Sequence, residues 1–187
     1  ASPTKWLRAF VCINNVWRRA IDCRSTPISE ALIMTLTTLI AIPLIGSIVV
    51  FLLPVAKAAL AKFVSLGFAV ATLLGTALIA IGMDNSTGAL QLVESYDWIP
   101  AFGISWTLGV NGISASLIVM AAILVPVVII AGWWDAENSG RGSVKGFFAL
   151  ILALEVFIIG VFTANDLFLF YVFFEAMLFP IYFLIGR

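Results

Sequence analysis

Two glutamates, Glu155 and Glu175, are the only charged side chains that fall well inside uninterrupted apolar runs of this sequence. A carboxylate at that depth in a bilayer costs a few kcal/mol, so an acid kept there points first to ion or proton handling. Glu155 belongs to the run 147–164 and Glu175 to Leu167–Ile185, LFLFYVFFEAMLFPIYFLI. Counted from Asn165 at the turn between the runs, each acid is ten residues away. At 1.5 Å per helical residue both therefore sit roughly 15 Å deep, near the bilayer midplane. The helical face of Glu175 also carries Tyr171 and Tyr182, whose hydroxyls suit a proton relay or plain packing. Pro180, five residues on, leaves the carbonyl of Ala176 without its helical donor. The face of Glu155, with Phe148, Ile151, Leu152, Ile158, Ile159 and Phe162, is apolar, so a partner has to come from another helix. Asp166 reads as a cap of the last helix or as a relay group at a proton entrance. A buried acid becomes a proton switch when a cation moves towards it and away again. No Lys or Arg falls inside a run, so the switch is half complete, and both acids also admit a plain role as hydrogen-bonded glue between helices.

The elements that must hold these groups follow from composition. Of the 187 residues, 63% are hydrophobic and 11% charged, against roughly half and roughly a quarter in soluble domains. The expectation is an all-α fold, a polytopic transmembrane bundle of five helices near 36–53, 63–83, 113–132, 147–164 and 167–185. Gly75, Thr76 and Ala77 supply small residues of the kind that let membrane helices approach. The connection 84–112 carries Asp84, Glu94 and Asp97 but no Lys or Arg, and its Trp98, Pro100 and Trp106 suit a membrane boundary. Pro126 interrupts the third run, Trp133 and Trp134 mark its end, and 135–146 reads as a solvated connector. Ten basic and ten acidic residues cancel, which argues against a nucleic-acid partner and leaves the lipid bilayer as the partner that composition implies. There is no His, and Cys12 and Cys23 lie outside the runs with no spacing for zinc, an iron–sulfur cluster or haem. With no nucleotide loop or nucleophile set either, this chain is expected to hold no catalytic residue, cofactor or metal of its own.

Residues 1–33 stand apart as a basic amphipathic segment. They carry Lys5, Arg8, Arg18, Arg19 and Arg24, with Trp6, Phe10, Ile13, Trp17 and Ile21 at spacings of three and four. An interfacial helix, a targeting piece and a non-native extension before Met34 all fit. Alternating the compartments puts Lys57, Lys62, Arg141, Lys145 and Arg187 on one side of the membrane, the cytoplasmic one by the positive-inside rule. The basic residues of 1–33 fall on the other side and conflict with that topology.

From Met34 onwards the sequence resembles a known family. EVFIIGVFTANDLFLFYVFFEAMLFPIYFLIGR closely resembles the N-terminal part of the antiporter-like chain M, chain 4 in mitochondria, of proton-translocating NADH-quinone oxidoreductase, respiratory complex I. DWIPAFGISWTLGVNGIS and MTLTTLIAIPLIG resemble that family's lead-in to the third helix and its first helix, though Asn111 stands where the family usually has Asp. The resemblance implies a cofactor-free subunit of the membrane arm, placed in a bacterial cell membrane or mitochondrial inner membrane. Its partners would be the other membrane-arm subunits, with NADH, flavin, iron–sulfur clusters and quinone on other chains of the complex. It also implies that Glu175 pairs with an intramembrane Lys on a later helix, and that Glu155 has a supporting role in the proton path. The alternatives are an antiporter subunit of a multisubunit cation/proton exchanger or membrane-bound hydrogenase, or a structural fragment without transport.

Overall fold

The structure, a computed structural model, describes residues 36–54, 58–83, 90–99, 104–138 and 143–186. The readings of residues 1–33 lie outside the described residues. Among the described residues five helices form: α1 Leu36–Leu52, α2 Ala58–Gly82, α3 Gly112–Asn138, α4 Val144–Thr163 and α5 Leu167–Ile185. Four of them are long and apolar enough to cross a membrane, and α1, at 17 residues, is shorter. The chain is thus an all-α multi-pass membrane protein, with α4 at its centre and packed against each of the other four helices.

Where helices meet closely, a glycine faces an aromatic ring. A Cβ on Gly46 of α1 would fall 2.6 Å from the Phe68 ring of α2, and one on Gly160 of α4 would fall 2.5 Å from the Phe173 ring of α5. Two apolar clusters stack along the bundle. One joins Leu36, Leu39, Ile40, Ile79, Ile118, Val156, Ile159 and Phe173, among others, at the end where α1 and α3 begin. The other joins Val50, Ala61, Ala69, Val125, Ile129, Phe148 and Leu152 towards the opposite end.

The connection before α3 is not the plain loop expected from its aromatics and acids. It contains a two-stranded antiparallel sheet, β1 Gln91–Ile99 and β2 Ile104–Val110, with Tyr96 opposite Trp106. A bulge between Gln91 and Glu94 coincides with a left-handed Leu92 at φ 54°, a costly conformation for a branched side chain. Leu108 and Val110 of β2 are fully buried in the first cluster. The Thr107 carbonyl accepts from Asn165 N at 2.9 Å, so the hairpin holds the α4–α5 turn.

Two lysines assigned to connectors also belong to helices. α2 starts at Ala58 rather than Phe63 and takes Lys62 with it, against the expectation that no basic residue lies within a span. Lys62 is only 2% exposed, donates from Nζ to the Trp133 carbonyl at 2.7 Å, and lies 5.3 Å from the indole centroid. The α3 helix correspondingly runs on through Trp133 and Trp134 to Asn138. Lys145, in the first turn of α4, donates to the carbonyls of Phe51 at 3.0 Å and Leu53 at 2.8 Å, closing the end of α1.

Candidate functional site

The α4–α5 hairpin positions both sequence-selected acids. Asp166 stands at the N-cap of α5 with extended backbone, and its Oδ1 accepts from Phe168 N at 2.8 Å and Leu169 N at 3.2 Å. A carboxylate there satisfies amides that no preceding turn can bond and sits at the positive end of the helix dipole. Asn111 does the same for α3: its Oδ1 accepts from Ser114 N at 2.8 Å, while its own amide donates to Ser114 Oγ at 2.9 Å. The cap needs an acceptor rather than a charge, so Asn in place of Asp keeps the helix start intact.

Glu155 and Glu175 face opposite ways. Glu155 continues the stripe Phe148, Leu152, Ile159 on the inner face of α4 and is completely buried. Among the described residues neither of its carboxylate oxygens has a hydrogen-bond partner. On α5 the inward stripe is Leu169, Phe173 and Pro180, which turns Glu175 to the exposed side together with Tyr171, Leu178, Phe179 and Tyr182. One turn before the acid, the Tyr171 hydroxyl stands beside the Glu175 carboxylate. Tyr182, seven residues on, packs edge-to-face on Phe183 at 5.6 Å between ring centroids. The hairpin therefore does not join the two acids into one site. Glu175 with Tyr171 forms a polar spot on an outer apolar face, and Glu155 is a solitary acid inside the bundle.

Sequence reasoning missed Glu94 as a functional group of the fold. From β1 its carboxylate accepts from Leu36 N and Thr37 N, and at 2.7 Å from Thr37 Oγ1, so it caps α1 across 58 residues of sequence. No local signal marks such a cap. Lys62 did carry one: Lys62, Ser65, Ala69, Thr72, Thr76, Ile79 and Met83 recur at alternating spacings of three and four, and all seven are buried. Among the described residues there is no cluster of three or more His, Cys, Asp or Glu that could hold a metal ion.

No family model matches the chain. Curated relatives do. The chain is 38% identical to the NADH-quinone oxidoreductase subunit M of Mycobacterium tuberculosis, over 81% of this chain and 32% of that protein. It is 35% identical to the NADH-ubiquinone oxidoreductase chain 4 of Arabidopsis thaliana, over 81% and 30%. It is 37% identical to the F(420)H(2) dehydrogenase subunit M of Methanosarcina mazei, over 79% and 29%. The chain thus spans about a third of the length of the curated relatives it matches.

Proposed function

We propose, on the premise that this chain is a partial homologue of the NADH-quinone oxidoreductase subunit M and chain 4 proteins, that it works in the membrane arm of a complex I type enzyme and contributes to proton translocation coupled to quinone reduction. The observation that carries this reading is the outward Glu175–Tyr171 pair on α5. A carboxylate on an uncovered helix face near the midplane would meet lipid, so another helix must cover it and bring a donor or a cation. A lysine on that covering helix, as the family resemblance implies, makes a charge-switched site. With the cation close, Glu175 gives up its proton; with the cation withdrawn, the isolated carboxylate takes one back. Tyr171 holds the carboxylate in place and offers a hydroxyl along the path.

In this reading the chain carries out no redox chemistry. NADH, flavin, iron–sulfur clusters and quinone belong to other subunits, and the neighbouring membrane-arm subunits and the lipid bilayer are its partners. The membrane is an energy-converting one, bacterial or mitochondrial. A relative named as a subunit of an F(420)H(2) dehydrogenase supports a second reading, in which the same module serves a different electron donor. Genes for flavin and iron–sulfur subunits beside this one would favour the first.

The test is Glu175→Gln in the assembled enzyme, measured in inverted membrane vesicles as protons moved per quinone reduced. Pumping is expected to be lost or strongly lowered, and normal pumping would falsify the assignment.

A further inference from the structure

Glu155 is not used by the Glu175 site, and its surroundings form a layer of their own. The two apolar clusters leave a gap between them on each of the four inner helices. On α1 the gap lies between Ile40 and Val50, and on α2 between Ile79 and Ala69. It lies between Ile118 and Val125 on α3, and between Val156 and Leu152 on α4. What falls in it is Pro43 and Gly46, then Thr72 and Thr76, then Ala121 and Ala122, then Glu155, all buried. Glu155 shares its stripe with Phe148 and Leu152, which cluster with Ala61 and Ala69 of α2 and Val125 and Ile129 of α3. Val50 of α1 belongs to the same cluster, so the acid lies inside the bundle among α1, α2 and α3.

That layer is rich in acceptors. The Thr72 hydroxyl donates to the Phe68 carbonyl at 3.0 Å and the Thr76 hydroxyl to the Leu73 carbonyl at 2.8 Å, which leaves the lone pairs of both free to accept. Pro126 has no N–H for the carbonyl of Ala122, and Pro43 has none for that of Leu39. A charged carboxylate adds two more acceptors, whereas a protonated one brings the donor that the layer lacks. Of the other titratable groups on the elements packed against it, Lys62 lies on α2 ten residues before Thr72, roughly 15 Å along the helix, and donates to Trp133. Tyr171 and Glu175 are on the outer face of α5. Among the described residues Lys62 and Glu155 are the only buried charged side chains.

We propose that Glu155, Thr72, Thr76 and the released Ala122 carbonyl form an internal proton-holding site. The carboxyl carries one proton, and a bridging water connects it to the hydroxyls. Loading transfers a proton from a hydrated proton to a Glu155 oxygen and leaves water; no other bond changes. A buried water needs two to four polar partners, and this layer supplies that number. The part such a site plays in transport rests on the proton-translocation reading, but its existence does not.

The experiment is infrared difference spectroscopy of the subunit in its native complex and membrane, Glu155→Gln against wild type, in H2O and D2O. A protonated-carboxyl band is expected that Glu155→Gln removes and that shifts promptly in D2O. Thr72→Val with Thr76→Val should move the band to the frequency of an unbonded carboxyl and slow its deuterium shift several-fold. The Ser variants at both positions should restore it, which separates hydroxyl loss from misfolding. A Glu155 that shows no protonated band, or a band indifferent to both threonines, overturns the site. Either result leaves the Glu175 assignment intact, because that rests on pumping by Glu175→Gln.

Discussion

Helices α4 and α5 are both apolar, similar in length and marked by one glutamate, yet the bundle turns one glutamate inward and the other outward. Half of the apolar window of α4 is buried inside the chain, against 17% of that of α5. The difference separates two uses of an intramembrane acid. Inside α4 the acid is fully buried by helices of this chain, so its role rests on these helices. On α5 the acid and its tyrosine stand on an exposed face, and in the proposed function a covering helix completes their site.

The strongest way to break that contrast is to neutralise each acid in turn. Glu175→Gln is expected to abolish coupled pumping, since an amide cannot cycle a proton, while Glu155→Gln should lower it only in part. Equal losses would mean that the inner and outer sites are one path. Wild-type turnover and coupling in Glu155→Gln would reduce Glu155 to packing.

The next largest effect tests the joint between the two helices. Gly160→Val places methyl groups where the Phe173 ring stands, 2.5 Å from the first added carbon. Overpacking of this kind costs about 1–3 kcal/mol, so the subunit should unfold at lower temperature and assemble poorly. Gly67 of α2, with nothing within 4 Å of an added carbon, is the control, and its Val variant should assemble normally. A Gly160→Val protein as stable as wild type would mean that α5 is not seated on α4 through Phe173.

A smaller effect is expected at Glu155. In the proposed site the protonated carboxyl bonds through a water to Thr72 and Thr76, and Leu removes those bonds, which costs about 1 kcal/mol. Glu155→Leu should therefore lower the unfolding temperature as well as pumping. The same change at Glu175 should leave the stability of these helices nearly unaltered, because that side chain is already exposed. A gain of stability in Glu155→Leu would show that the buried carboxyl is unsatisfied and would overturn the internal site.

How far the sequence carries depends on what each feature answers to. Uninterrupted apolar runs reveal membrane helices because lipid leaves the backbone no other way to satisfy its polar groups. The hairpin escaped because its cues, β-branched and aromatic residues on either side of Pro100 and Gly103, also suit a membrane boundary. Lys62 escaped because a charge was taken to end a span, whereas the lysine stem is long enough to reach the Trp133 carbonyl from inside the helix. The depth of Glu155 and Glu175 could be counted along the hairpin, but their directions could not. A helix apolar on every side has no polar face to orient it, and its rotation is set by neighbours such as Phe173 against Gly160.

The two helices also begin differently, and that gives the smallest and cleanest comparison. Ser143 precedes α4 with no side-chain cap, while Asp166 bonds two amides at the start of α5. Ser143→Ala should be nearly silent, and Asp166→Ala should cost about 1 kcal/mol, read as a lower unfolding temperature. Asn at Asp166 keeps an acceptor for Phe168 N and Leu169 N but gives up the charge and the ability to take a proton. Stability near wild type with pumping intact in Asp166→Asn assigns the residue to the cap alone. Stability near wild type with pumping reduced assigns it to the proton entrance as well, because a cap is served equally by an amide oxygen and a relay is not.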